Sequence, residues 1–192
     1  MGKRLFRWET AGFLVTAAAG PLLHMAYEWS GKQRWTTLVS AVNESTWEHM
    51  KLLFVPVFLW TLVQMLTLGR EYPNFLAVRA SSLLAGLAAI PVLFYTYQGV
   101  LGRDVMWVDI TIFFIAALLT FWLDGRWLSG GAMSARWRQL AGLLILFGLA
   151  FAFVWCTYAP PHLGLWQDPV TGQYGMISKQ KRNRFSVPLL LG

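Results

Sequence analysis

Long apolar runs separated by short polar connections account for most of this chain, and they predict helices at about residues 10–28, 45–68, 75–98, 104–128 and 136–158. At about 1.5 Å of rise per residue, each is long enough to cross a hydrocarbon core of roughly 30 Å. Pro21, Pro56 and Pro91 fall inside three of the runs. Membrane helices tolerate such prolines because neighbouring groups satisfy the freed backbone. Lys3, Arg4 and Arg7 precede the first run, a start that resembles a signal peptide. The further apolar runs favour a retained first helix instead. The segment Trp35-Thr36-Thr37-Leu38-Val39 reads as a stretch lying flat in the interface. After Pro160-Pro161, proline and glycine pairs predict a turn-rich cap over 159–176. Residues 177–192, with Lys179, Lys181, Arg182 and Arg184, read as a basic, disordered tail. The expected organisation is one membrane domain, 1–176, followed by that tail.

Composition supports this reading. Of 192 residues, 56% are hydrophobic and 13% charged, against about 25% charged in soluble domains. The net charge of +7 does not indicate nucleic acid, because the basic residues cluster at the ends of apolar runs. The expected surroundings are a lipid bilayer, with no nucleic-acid partner. The single cysteine, Cys156, excludes an internal disulfide and a cysteine-rich metal site. The fold class is therefore an all-α integral membrane protein: a bundle of five transmembrane helices with a turn-rich C-terminal cap.

Charge also orients the bundle. With the N-terminus inside, the inner ends hold the seven cations Lys3, Arg4, Arg7, Arg70, Arg126, Arg136 and Arg138; the outer ends hold the four cations Lys32, Arg34, Lys51 and Arg103. The positive-inside rule then places the N-terminus in the cytoplasm and the C-terminus outside a bacterial cytoplasmic membrane. On that topology all three histidines, His24, His49 and His162, meet at one level. So do six of the nine acids: Glu28, Glu44, Glu48, Asp104, Asp109 and Asp168.

The densest chemistry is Asn43-Glu44-Ser45-Thr46-Trp47-Glu48-His49-Met50-Lys51, which opens directly onto an apolar run. Part of it is a well-made helix start. Ser45 and Glu48 match a capping box, and Glu48 and Lys51 have helical ion-pair spacing. The meeting of imidazoles and carboxylates points further, because these are the ligands of zinc and related divalent ions. His24, Glu28, Glu44, His49 and His162 are the candidate ligands, and Glu48 or Asp109 is the candidate general base. This predicts metal-dependent hydrolysis or transfer on a lipid-like or small extracytoplasmic substrate. Two other readings stay open: a non-enzymatic protein whose polar cluster braces helix ends, and a proton- or ion-coupled transporter.

His24-x-x-Tyr27-Glu28-Trp29-Ser30-Gly31, the motif at 43–51, Pro91-Val92-Leu93-Phe94-Tyr95-Thr96-Tyr97 and Pro160-Pro161-His162 with Asp168-Pro169-Val170-Thr171-Gly172 occur together. In this combination the chain resembles a family of small bacterial multi-pass membrane proteins of unknown function, over about residues 8–176. The resemblance implies a bacterial integral membrane protein and carries no activity, substrate or cofactor with it. A looser likeness to membrane hydrolases of the ceramidase type is one of ligand chemistry alone. Their paired histidines four residues apart on one helix are missing here.

Overall fold

The computed structural model describes residues 1–176, so the tail expected at 177–192 lies outside the described residues. Five helices form one bundle: α1 (Lys3–Trp29), α2 (Thr46–Thr67), α3 (Phe75–Leu101), α4 (Met106–Gly130) and α5 (Arg136–Tyr158). Two short 3-10 helices, Arg34–Leu38 and Gly164–Trp166, lie in the α1–α2 connection and in the cap.

α2 is the central helix. Leu52, Leu53, Phe54, Val55, Pro56 and Val57 are consecutive and all buried, so the helix is covered on every side. It packs against α1, α3, α4 and α5. The most extensive contact joins α3 and α4, where Gly86 lets the backbones approach. A Cβ at Gly86 would collide with Thr120 Oγ1 and lie 2.9 Å from the carbonyl oxygen of Ala116. Small residues at such crossings are the usual means of close helix packing where hydrophobic collapse supplies little. Gly102 and Gly131, with φ of +66° and +67°, end α3 and α4 in the left-handed conformation that favours glycine.

One expectation is corrected. α1 begins at Lys3 rather than near residue 10. The added turns are held by Leu5, which is buried against Leu68, Phe75, Val78 and Leu128, and by an ion pair from Arg4 to Glu71. The segment Trp35–Val39 largely coincides with the 3-10 helix Arg34–Leu38. There Trp35 is exposed, but Thr36 and Thr37 are buried, and the Thr37 hydroxyl is 2.6 Å from the Tyr158 hydroxyl. By length and apolarity, α2, α3, α4 and α5 can each cross a membrane. α1 has the length, but its polar positions, including Glu9, Thr10, Thr16 and His24, leave it outside that group.

The outer surface is strongly apolar, with Leu14, Leu22, Leu66, Leu118, Leu144 and Phe151 among its exposed side chains. α4 and α5 contain the most apolar spans, yet only 28% and 22% of those spans are buried. In the cap, the described residues form the 3-10 turn and an isolated antiparallel bridge between Gln167 and Tyr174, in line with the turn-rich expectation. Trp166 packs on Trp47 with ring centroids 4.9 Å apart, which seats the cap on the start of α2.

Candidate metal site

The site forms where α1 ends and α2 begins. Ser45 is the N-cap of α2, and its hydroxyl accepts from the Glu48 amide at 3.4 Å. The reciprocal half of the expected capping box is built differently. The Ser45 amide donates to Asn43 Oδ1 at 2.9 Å, while Glu48 accepts from the Val42 amide at 3.2 Å. Asn43 also donates to the Gly175 carbonyl at 3.0 Å, so the motif holds the cap. On the α1 side the Ser40 hydroxyl accepts from the Tyr27 amide and donates to the Leu23 carbonyl, pinning the connection beside His24.

These restraints bring His24, Glu44 and His49 together. Glu44 Oε2 is 3.5 Å from His24 Nε2 and 3.5 Å from His49 Nε2. The imidazole centroids are 5.2 Å apart, and one ligand atom from each of the three residues falls within 4.8 Å of the others. Two ligand atoms each about 2.0 Å from a tetrahedral ion stand about 3.3 Å apart. The two separations of 3.5 Å from Glu44 therefore need only a small contraction. His49 Nδ1 is 3.0 Å from the Ser45 carbonyl. A proton on Nδ1 satisfies that carbonyl and leaves the Nε2 lone pair facing Glu44, the second-shell arrangement that orients a metal-binding histidine. All three side chains are partly exposed, so water can reach the site.

Hydrogen bonding to His24 holds the Glu44 carboxyl below the ordinary glutamate value of 4.5, against the opposing effect of burial. A carboxylate whose pKa is lower in the folded state adds stability above its unfolded pKa. That stability disappears as pH falls through the lower, folded value. Substituting Glu44→Gln should therefore lower the Tm at pH 7 and have no effect on it once both states are protonated. The side chain is 49% exposed, so the difference at neutral pH should stay below about 1 kcal/mol. A Tm difference that is the same at both pH values would show that the Glu44 charge is not its source.

The structure separates the other expected site residues. Glu28, expected beside His24, pairs with Lys32 at 2.7 Å and lies outside the cluster, because the i,i+4 spacing offers it a cation on its own turn. His162, expected to close the site from the cap, is exposed and packs edge-on against Tyr174, with centroids 4.8 Å apart. The cap's own fold fixes it there. Glu48, a candidate base, is buried with both oxygens engaged: Oε2 accepts from Lys51 at 2.7 Å and Oε1 from the Thr157 hydroxyl at 2.8 Å. The Glu48–Lys51 ion pair expected from spacing is present and completely enclosed. Asp109, the other candidate base, accepts a hydrogen bond from Tyr97 and lies within electrostatic range of His49.

A second polar cluster, at the opposite end of the bundle, was not anticipated. Arg79 of α3 is fully buried. It lies 2.7 Å from Asp124 of α4 and 3.5 Å from Glu9 of α1, and donates to Gln64 of α2. Ser82 donates to Asp124 at 2.6 Å, and Gln64 donates to Glu9 at 3.0 Å. The available signal was charge inside apolar runs: Arg79 and Asp124 have opposite sign and interrupt two predicted spans.

The family described as "Family of unknown function (DUF6512)" matches residues 3–176, and the chain belongs to it. No curated protein and no solved structure matches the chain.

Proposed function

We propose, for a chain whose family carries no assigned activity, that it is an integral membrane protein with a divalent-metal site formed by His24, Glu44 and His49. The observation that carries the metal assignment is the convergence of three ligand atoms within 4.8 Å of one another, with His49 Nδ1 engaged at the Ser45 carbonyl. The bilayer placement is supported by the inverted burial of α4 and α5. In water such apolar surface would be a severe aggregation liability, whereas lipid solvates it without cost. The seven-to-four distribution of cations supports a cytoplasmic N-terminus in a bacterial inner membrane, with the histidines at the extracytoplasmic end.

Three protein ligands leave a coordination position for water, the arrangement of catalytic rather than structural zinc. A bound ion would supply Lewis acidity and an activated water there. Asp109, poised by Tyr97, is the remaining candidate base, since Glu48 is fully engaged. The chemistry this suits is hydrolysis or group transfer on a small or lipid-like substrate at the membrane surface.

Detergent-purified wild-type protein should contain about one equivalent of zinc or a related ion, as expected for a single three-ligand site. His49→Ala should lower the affinity by more than about 100-fold, beyond the usual cost of losing an outer-shell partner. The partly exposed position of His49 should leave the fold intact. Equal metal content in both proteins would overturn the assignment. A second reading, a non-enzymatic brace, is favoured by the Glu48–Lys51–Thr157 cluster, which ties α2 to α5 without any ion. It expects no metal in either protein and a lower Tm for His49→Ala.

A further inference from the structure

We propose that the groove between α1 and α4, at the end of the bundle opposite the histidines, binds the headgroup of a phospholipid carrying a primary ammonium. This rests on the bilayer placement above and is independent of the metal site.

The groove has a volume of about 450 Å³ and is walled by Phe6, Phe13, Leu118, Phe121 and Trp122. Glu9 is the acidic residue of its lining. Glu9 Oε1 accepts from Gln64, but Oε2, although buried, accepts no hydrogen bond. Arg79 does not remedy this, because its guanidinium stands closer to Asp124, at 2.7 Å, than to Glu9, at 3.5 Å. Two buried carboxylates thus share one guanidinium, and the one it approaches less closely lines the groove. An unsatisfied buried carboxylate oxygen is costly, and a charged donor entering from the groove removes that cost.

The rim has the opposite charge. Arg126 borders the groove, and Lys3 and Arg7 border an adjoining hollow that shares Met1 and Phe6 with it. Cations at the rim suit a phosphate, and an acid within suits an ammonium. A simple lipophilic amine would meet repulsion at the rim, and an anionic lipid would meet it at Glu9. A zwitterionic headgroup satisfies both. An ammonium with N–H donors can hydrogen-bond Glu9, whereas a trimethylammonium has none to offer. The volume suits a headgroup and the start of one acyl chain, with the remaining lipid in the bilayer.

The test is native mass spectrometry of the whole chain in detergent, with phosphatidylethanolamine, phosphatidylcholine and phosphatidylglycerol of identical acyl chains. One charge-assisted hydrogen bond corresponds to about ten-fold tighter retention of phosphatidylethanolamine than of phosphatidylcholine. Glu9→Gln, which preserves shape and the Gln64 contact, should abolish that preference. Arg126→Gln should weaken both lipids and keep their ranking. Equal retention of the two in wild type, a preference that survives Glu9→Gln, or phosphatidylglycerol bound most tightly would each overturn the proposal. If Glu9→Gln does not fold, the wild-type ranking and Arg126→Gln still decide. Failure of the bilayer placement would be visible separately, as protein released from membranes by alkaline extraction without detergent.

Discussion

Replacing Arg79 with methionine should destabilise the protein by about 3–5 kcal/mol, the usual cost of removing one member of a buried ionic cluster. Arg79 is fully buried among Asp124, Glu9 and Gln64, with its guanidinium also over the rings of Phe75 and Phe121. Methionine replaces the apolar stem but leaves Glu9 and Asp124 without a counter-charge. The loss should therefore come chiefly from the abandoned carboxylates, and thermal unfolding in detergent can separate the contributions. In a Glu9→Gln, Asp124→Asn background the same Arg79→Met change should cost much less, since no buried anion is stranded. An equal cost in both backgrounds would mean that Arg79 acts through packing and cation–π contact rather than through charge. Four helices meet at this one residue, so its removal should also reduce the cooperativity of unfolding.

Lys51→Met is expected to have the next largest effect, about 3 kcal/mol on the same reasoning. Lys51 Nζ donates to Glu48 at 2.7 Å, to Thr157 at 2.7 Å, to the Thr37 carbonyl at 3.1 Å and to the Ser40 carbonyl at 3.3 Å. One ammonium thus joins the start of α2, the end of α5 and the connection that presents Glu44. Its removal strands Glu48 and leaves two backbone carbonyls short of a donor. Adding Glu48→Gln should recover most of the stability, because a neutral amide needs no counter-ion. The coupling between the two substitutions is the quantity to measure, and additive Tm changes would sink the ion-pair account. On the proposed metal reading, the single variant should also weaken metal binding, through disorder in the connection rather than through loss of a ligand.

The positions of these two clusters show what periodicity and charge can and cannot reveal. The Glu48–Lys51 pair is local: two residues three apart on one helix meet whatever the tertiary fold. The spacing therefore announced it, although its complete enclosure depends on Thr157, more than a hundred residues away. His24, Glu44 and His49 were legible as ligand types on adjoining helix ends, and the five-span count put those ends at one level. Glu28 and His162 had equal claims by residue type. Lys32, four residues on, and Tyr174 in the cap occupy them instead. The Glu9–Arg79–Asp124 cluster draws each charge from a different helix, and no sequence period links them.

Sequence alone determined the number of helices and their boundaries to within a turn or two, except at the start of α1. These follow from apolar length, capping chemistry and the cost of placing charge in an apolar run. Each of those is a property of a residue and its near neighbours. The tertiary structure decided which helix is central, which ionisable groups pair and which carboxylate is left over. Pairing depends on helix rotation and crossing, set by contacts such as Gly86 on Thr120 between residues distant in the chain. A carboxylate in one helix is a brace, a ligand or an unsatisfied acid according to what the neighbouring helix presents to it.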